Sequence, residues 1–176
     1  MISGEALLAW LMTLSGVVSA VACLRARGVV PWQGRQCALI MSGAMVLSAS
    51  VDLESHSVLA LCVVLVLSSL LGTAGVRGKA SAPLCCHRAI ASITMAVLLA
   101  LQLSTDSTGT AAHSHSIGPG IWGLGAAGIV VVAVWAAAAE RSGHGVERDR
   151  HRRFLSAETW AMTCGLVVMG VGHAAM

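Results

Sequence analysis

The sequence predicts an all-α fold, a polytopic membrane bundle of six transmembrane helices with the N-terminus and the C-terminus outside. Of its 176 residues, 56% are hydrophobic and only 11% are charged, more apolar surface than a soluble domain can hide. Its eleven Lys and Arg residues fall in three stretches, 25–35, 77–88 and 141–153, each between two long apolar runs. Because cytoplasmic loops carry the Lys/Arg excess, we expect these stretches inside.

The predicted helices occupy most of the chain and leave one domain, residues 1–176. A helix needs about 20 residues, with a rise of about 1.5 Å each, to cross a hydrocarbon core of about 30 Å. The predicted helices cover about 2–24, 36–53, 55–76, 89–105, 117–140 and 154–176.

Charge and turn residues separate the first three helices. The first apolar run is followed, not preceded, by Arg25 and Arg27, the reverse of a cleaved signal peptide. We therefore expect an uncleaved first helix, with a lipoprotein signal ending at Cys23 as the alternative. Pro31 and Gly34 break the helical pattern before helix two. Helix three follows helix two almost at once, so the two are predicted to form a tight outer hairpin.

The second half of the chain alternates basic inner loops with an outer loop that has no cation. Residues 85–88, Cys-Cys-His-Arg, are assigned to the second inner loop, before helix four. A polar outer loop with His113 and His115 precedes helix five. The third inner loop, 141–153, is the most charged, and anionic lipid headgroups are its expected partners.

Composition and motifs argue against two functional classes. The basic runs are short and lie next to membrane spans, so they do not form the contiguous basic surface of a nucleic-acid-binding protein. The sequence contains no GxSxG, HExxH or P-loop motif, and no nucleophile with an evident base. We therefore predict a protein that is not an enzyme and whose main partner is the lipid bilayer.

The even-numbered helices share a stripe of methionine and polar residues that the odd-numbered helices lack. In helix two, Met41, Met45 and Ser48 follow the i, i+4, i+7 spacing that places residues on one face. Helices four and six also carry methionine and polar residues on one face. Polar side chains are costly in lipid, so these faces are expected to turn towards one another. Counted from the inner helix ends, Met41, Met45, Met95 and Met162 lie about 8 to 14 Å deep, which predicts one layer.

These faces support the hypothesis of a soft-metal site, with copper as the leading ion. Thioether and thiolate ligands select Cu(I), and imidazole suits copper or zinc. In the predicted topology, histidines and carboxylates lie outside, methionines lie in the middle, and thiols lie inside. Such an order would let a metal ion be captured outside, pass the methionines and be released inside. The alternative is that the methionines only fill the core. The candidate ligands are Met41, Met45, Met95, Met162, Met169, His87, His113, His115 and His173.

The thiols and one acidic residue belong to the inner side of the predicted bundle. Most cysteines lie on the reducing side or within helices, so no disulfide framework is expected. Adjacent Cys85 and Cys86 are interpreted as free loop thiols or acylation sites. Glu158 is expected to snorkel to the interface or to pair with an Arg of the third inner loop.

Four segments resemble those of a known group of membrane proteins. They are residues 37–45 (CALIMSGAM), His87 with Met95, the His113-Ser114-His115 loop with Ile117-Gly118-Pro119, and Met162 to Met169. In these segments the chain resembles the actinobacterial proteins grouped as domain of unknown function 5134. The resemblance covers most of the chain and implies a small multi-pass protein of a bacterial cell membrane, without an established activity. That family shows a further Met in helix two and a longer His-rich loop, which this chain lacks.

Two function hypotheses follow from these observations. The first is a membrane protein that binds or conducts a soft metal ion through the even-helix faces; Met41 and Met45 also resemble the Met pair of Ctr-type copper transporters. The alternative is a non-catalytic accessory or scaffold subunit of a larger membrane protein complex, because the chain has almost no soluble mass.

Overall fold

The fold is all-helical throughout the part of the chain that the structure describes. The computed structural model describes residues 4–25, 31–51, 53–76, 81–106, 118–141 and 149–175, with side chains for all of these except 5, 104–106, 118–121, 149–152 and 173–175. These residues form six α-helices, which confirms the predicted fold class. The helices are α1 (Gly4–Arg25), α2 (Trp32–Ser50), α3 (Ser55–Thr73), α4 (Ala82–Asp106), α5 (Gly118–Arg141) and α6 (Asp149–Ala175).

Five of these six helices are long and apolar enough to cross a membrane, so the bundle is membrane-embedded. Their apolar stretches are 6–25, 55–73, 82–103, 122–141 and 153–172. Helix α2 is not in this set, and a membrane crossing by α2 stays a prediction. Its sequence carries Gln33, Arg35 and Gln36 in the first turns and three serines further on, but the face with Met41 and Met45 is buried against other helices.

Helix α4 starts earlier than the sequence predicted, and this shift moves the Cys-Cys-His-Arg segment. The predicted start at residue 89 was wrong, because the helix begins at Ala82. Pro83 lies in the first turn, where a missing N–H costs no helical hydrogen bond. Residues 85–88 therefore belong to a helix and not to the second inner loop. Helices α2 and α6 also begin a turn earlier than predicted, at Trp32 and Asp149.

Helix α4 lies at the centre of the bundle. Each helix packs against the next one in the chain, and α1 packs against α6, which closes a ring. In addition α4 packs against both α2 and α6. As a result, 67% of an 18-residue apolar segment of α4 is buried, compared with 17% for the corresponding segment of α5. The even-numbered helices thus meet at α4, in agreement with the polar stripes of the sequence.

Contacts at glycines define the direction of each helix. The side chain of Leu8 lies near Gly172, whereas that of Ser15 lies near Gly165, so α1 and α6 are antiparallel. The few residues between α1 and α2 cannot span the length of a helix even when fully extended. Helix α2 therefore starts at the end of the bundle where α1 finishes, and these two helices are antiparallel as well. Helix α5 is antiparallel to α4, because Thr94 lies near Gly128 whereas Leu98 lies near Gly125. It is also antiparallel to α6, because Ile129 lies near Gly170 whereas Glu140 contacts Trp160. Helices α2, α4 and α6 are therefore parallel to one another.

Candidate functional site

The five described methionines of the predicted site are all buried. Each is at most 4% exposed, and all belong to one hydrophobic core together with Met12 and Cys23 of α1. The five are Met41, Met45, Met95, Met162 and Met169. The structure thus places the methionines of the three even-numbered helices in a common interior, away from lipid.

Met45 lies where α1, α2 and α6 come together. A Cβ added at Gly165 would lie 2.9 Å from the Met45 sulfur, and one added at Gly16 would lie 3.4 Å from the Met45 Cβ. The Ser15 hydroxyl lies 4.0 Å from the same sulfur and donates its stronger hydrogen bond to the Met12 carbonyl at 2.8 Å. The two glycines let the backbones approach closely, and this close approach is what brings the sulfur between them.

Met41 and Met162 lie at nearly the same level along the bundle axis. Met45 and Gly165 are in contact, and α2 and α6 run in the same direction. Met41 precedes Met45 by four residues, and Met162 precedes Gly165 by three. At about 1.5 Å per residue, the Cα levels of Met41 and Met162 therefore differ by only about 1.5 Å.

Met95 of α4 shares this level. The Cys37 sulfur lies 3.2 Å from the Ser92 hydroxyl oxygen and 3.7 Å from the Arg88 carbonyl oxygen, which sets the register of α2 against α4. Met41 follows Cys37 by four residues, and Met95 follows Ser92 by three. The same rise of about 1.5 Å per residue brings them level. We call Met41, Met95 and Met162 the methionine layer; each is at most 1% exposed. Met45, which was predicted in the same layer, lies one turn further along α2, about 6 Å from it.

A buried ion pair lies one helical turn from the methionine layer. The Arg88 Nε and Nη2 groups donate hydrogen bonds of 2.8 and 2.6 Å to the Glu158 carboxylate, and both side chains are 1% exposed. Glu158 precedes Met162 by four residues on α6. A bidentate pair of this kind holds two charges that neither lipid nor an apolar core solvates.

Two thiols accompany this ion pair. The Cys23 sulfur of α1 lies 3.9 Å from Arg88 Nη2, and Cys37 of α2 contacts the Arg88 carbonyl. Both cysteines are buried. We call Cys23, Cys37, Arg88, Ser92 and Glu158 the polar cluster; it joins α1, α2, α4 and α6 at the end of the bundle that also carries Arg25 and Arg153, the predicted inner end.

The partner of Glu158 was not anticipated from the sequence. An Arg of the third inner loop was one expected partner and the membrane interface was the other, but Glu158 is buried and pairs with Arg88 of α4. Arg88 itself was interpreted as a loop cation, which is wrong. The missed signal is the spacing of Arg88, Ser92 and Met95 at i, i+4 and i+7, which extends the polar face of α4 towards its start.

The predicted histidine ligands do not join the methionine layer where they are described. His87 is 2% exposed, and neither ring nitrogen has a hydrogen-bond partner among the described residues. It precedes Met95 by eight residues, a rise of about 12 Å. His113, His115 and the His173 side chain lie outside the described residues. Within the described part, no three His, Cys, Asp or Glu side chains lie close enough to hold a metal ion.

Three further buried polar groups have no hydrogen-bond partner among the described residues. They are the Ser19 hydroxyl, on a side chain that is 0% exposed, Nε of Arg35, and Nη1 of Arg88 within the polar cluster itself. Ser19 follows Gly16 by three residues, so it lies near the level of the methionine layer. It also precedes Cys23 by four residues and shares its helix face. The part of the bundle from the methionine layer to its predicted inner end therefore contains polar atoms that the described residues do not satisfy.

Comparisons with known proteins assign no family to this chain. The resemblance to domain of unknown function 5134 stays a prediction from the residues. No protein family model, no curated protein and no solved structure matches the sequence or the fold.

Proposed function

We propose that this membrane protein binds a soft monovalent metal ion, Cu(I), in the methionine layer. One observation carries the proposal: three methionines from three different helices are each at most 1% exposed, and the contacts beside them bring their Cα atoms to about one level of the bundle. The parallel direction of α2, α4 and α6 and the contacts at Cys37 and Gly165 support that common level.

The chemistry of the donor set favours this class of ion. Thioether sulfur is a soft, uncharged ligand that selects Cu(I), whereas hard ions such as Mg²⁺ and Ca²⁺ require oxygen ligands. Sulfur that is buried away from water retains its lone pairs for an incoming ion. A cation in the membrane interior is otherwise costly, so direct coordination has to replace its hydration shell.

Methionines that only fill the core would give the same burial, so the test has to separate sulfur chemistry from packing. Leucine has a similar volume to methionine, and exchanges between the two usually cost less than about 1.5 kcal/mol. The combined substitution Met95→Leu/Met162→Leu therefore removes two sulfurs from the layer while largely preserving its packing. Met12→Leu is the matched control, because Met12 belongs to the same core but lies on α1, about two turns from the layer.

The measurement is the copper retained by purified detergent-solubilised protein after anaerobic loading with Cu(I) and removal of free ion. We expect the wild type and Met12→Leu to retain the ion, and Met95→Leu/Met162→Leu to lose the ion held by the layer while eluting at the same position in gel filtration. Equal retention by the double variant and the wild type would contradict the proposal. Wild-type protein that retains no copper would contradict it as well.

A further inference from the structure

A groove runs along the surface of the bundle between α1 and α2. It encloses about 430 Å³, within the range of about 300 to 1,000 Å³ that small-molecule sites occupy. Its lining residues include Gly16, Val17 and Ala20 of α1 and Leu39, Gly43 and Leu47 of α2. Val17 and Leu47 are 48% and 43% exposed, and a Cβ added at Gly43 would meet nothing within 4 Å. This surface, which we call the α1–α2 groove, is therefore open on its outer side, where a membrane-embedded bundle meets lipid.

The wall of the α1–α2 groove suits a hydrocarbon chain. Apart from glycines and two serines, its lining residues are apolar. The Ser42 hydroxyl donates a hydrogen bond within α2, to the Ala38 carbonyl at 2.8 Å. The Ser50 hydroxyl does the same to the Val46 carbonyl at 2.7 Å. From Leu39 to Ser50 the groove rises about 16 Å along α2, comparable to the depth of one leaflet, which is half of a hydrocarbon core of about 30 Å.

Two arginines lie at the predicted inner end of the groove, one on each helix. Arg35 precedes Leu39 by four residues, so it continues the groove face of α2 by one turn. Arg25 lies in the last turn of α1 and is exposed. Gly16 lies against Met45 in this antiparallel pair of helices. Because Arg25 follows this contact by nine residues and Arg35 precedes it by ten, the Cα atoms of the two arginines lie at about one level.

These arginines have no carboxylate partner in the described part of the chain. The ion pair found there joins Arg88 to Glu158, on other helices. Arg35 is half-buried, and its Nε has no hydrogen-bond partner among the described residues. The Arg35 guanidinium carbon lies 5.0 Å from the centre of the Trp32 ring, and Trp32 is 59% exposed. Since exposed indoles favour the headgroup level, this end of the groove places two cations where lipid phosphates lie.

We infer that the α1–α2 groove binds one anionic phospholipid of the leaflet at its predicted inner end, with an acyl chain along the groove and the phosphate at Arg25 and Arg35. The charges are complementary, because two cations without a carboxylate partner meet a headgroup with a net negative charge. Guanidinium groups also match the geometry of phosphate oxygens and can donate two hydrogen bonds to one phosphate. The groove lies on the outer side of α1 and α2, so the inference is independent of copper binding in the methionine layer.

The same charges select among phospholipids. Phosphatidylglycerol has a net negative charge, whereas phosphatidylcholine carries a quaternary ammonium group that cancels its phosphate charge and adds a further cation beside the two arginines. Each arginine near an anionic headgroup should favour binding about fivefold, the equivalent of about 1 kcal/mol. The site should therefore prefer phosphatidylglycerol to phosphatidylcholine with the same acyl chains.

Native mass spectrometry counts the lipids that stay bound to purified, delipidated full-length protein. The protein is titrated in detergent with phosphatidylglycerol or with phosphatidylcholine. We expect the wild type to retain one phosphatidylglycerol with a Kd at least about fivefold below that for phosphatidylcholine, and Arg35→Gln to raise the Kd for phosphatidylglycerol about fivefold. Inorganic phosphate, which offers the same oxygens without an acyl chain, should not displace the lipid.

Three further variants test whether this lipid lies in the groove. Gly43→Leu fills the open space in the wall and should prevent retention of the lipid. Gly123→Leu is the matched control, because a Cβ added at Gly123 of α5 also meets nothing within 4 Å. Arg153→Gln removes an exposed cation of α6 from the same end of the bundle and reports general attraction to headgroups. It should raise the Kd less than Arg35→Gln does.

Four results would overturn the inference. They are equal Kd values for the two lipids, equal effects of Arg153→Gln and Arg35→Gln, displacement of the lipid by inorganic phosphate, and retention of phosphatidylglycerol by Gly43→Leu. A wild-type dimer that Gly43→Leu converts to a monomer would overturn it as well, because the groove would then be covered by a second copy of the chain. Gel filtration and circular dichroism test the fold of each variant. Should Gly43→Leu fail to fold, Gly43→Val takes its place with the same expected loss of lipid.

Discussion

Helices α4 and α5 have almost the same mean hydropathy and very different places in the bundle. An 18-residue segment within each apolar stretch has a mean hydropathy of 1.8 in α4 and 1.9 in α5, yet 67% of the segment in α4 is buried and only 17% of that in α5. Hydropathy reports whether a helix tolerates lipid. It does not report whether the helix faces lipid or other helices.

The difference lies in which side chains need partners. Helix α4 carries Arg88, Ser92 and Thr94, all buried, and Arg88 finds a carboxylate only on another helix. On α5, by contrast, Leu124 and Val134 are more than 60% exposed. These apolar side chains can be solvated by lipid tails and do not require a partner on another helix. Because lipid is as apolar as leucine, helices associate in a membrane through close packing and polar contacts, and these place α4 at the centre.

The largest predicted effect concerns the cation of α4. Arg88→Met leaves the Glu158 carboxylate buried without a partner and should lower the free energy of unfolding by about 3 to 5 kcal/mol. Unfolding by sodium dodecyl sulfate in mixed micelles, followed by circular dichroism, measures this change. Arg141→Met, at the exposed end of α5, is the control and should have an effect within about 0.5 kcal/mol.

The ion pair also predicts non-additivity. Arg88→Met/Glu158→Leu removes both charges together, so it should be more stable than Arg88→Met alone. A double variant that is less stable than either single variant, or an Arg141→Met that costs as much as Arg88→Met, would show that burial of the charge is not what distinguishes α4 from α5.

A second prediction compares two leucines of these helices. Leu98 of α4 is 1% exposed, whereas Leu124 of α5 is 61% exposed. Leu98→Ala leaves a cavity in the core and should cost about 2 to 5 kcal/mol, while Leu124→Ala should cost under about 1 kcal/mol. The same unfolding assay applies. Equal costs for the two substitutions would mean that α5 is covered by protein rather than by lipid.

The smallest effect is expected at two glycines of α5 itself. A Cβ at Gly128 would lie 2.8 Å from Cγ2 and 3.2 Å from Cβ of Thr94, whereas a Cβ at Gly123 would meet nothing within 4 Å. Gly128→Ala should therefore push α5 from α4 and cost about 1 to 3 kcal/mol. Gly123→Ala should leave stability unchanged or raise it slightly, since alanine favours helix. A Gly128→Ala variant as stable as the wild type would mean that α5 packs less closely on α4 than the structure shows.

The methionine layer shows what can be predicted from helical periodicity alone. The spacing of Met41 and Met45 on one face, and the depth counted from the basic ends, depend only on the helical rise and turn, so both follow from the sequence. The same counting placed Met95 and Met162 at that depth, and the structure brings the three helices together there. Local geometry was sufficient because all three methionines lie well inside their helices.

The polar cluster shows what counting residues along single helices cannot predict. The start of α4 was placed about two turns too late, because Pro83 and Arg88 were interpreted as loop residues, although a proline is tolerated in a first turn. Glu158 lacked a partner in the sequence, because its Arg lies seventy positions away. Pairings at that distance depend on which helices touch, and no local pattern encodes them.

The sequence by itself determined the all-helical class, the approximate spans, the predicted orientation and the methionine faces, because each follows from hydropathy, charge bias or a 3.6-residue period. Only the tertiary structure decided that α4 is central, that Arg88 pairs with Glu158, and that Cys23 lies beside that pair. These facts depend on the close approach of helices at residues such as Gly16 and Gly165, where packing, and not any local preference, selects the neighbours.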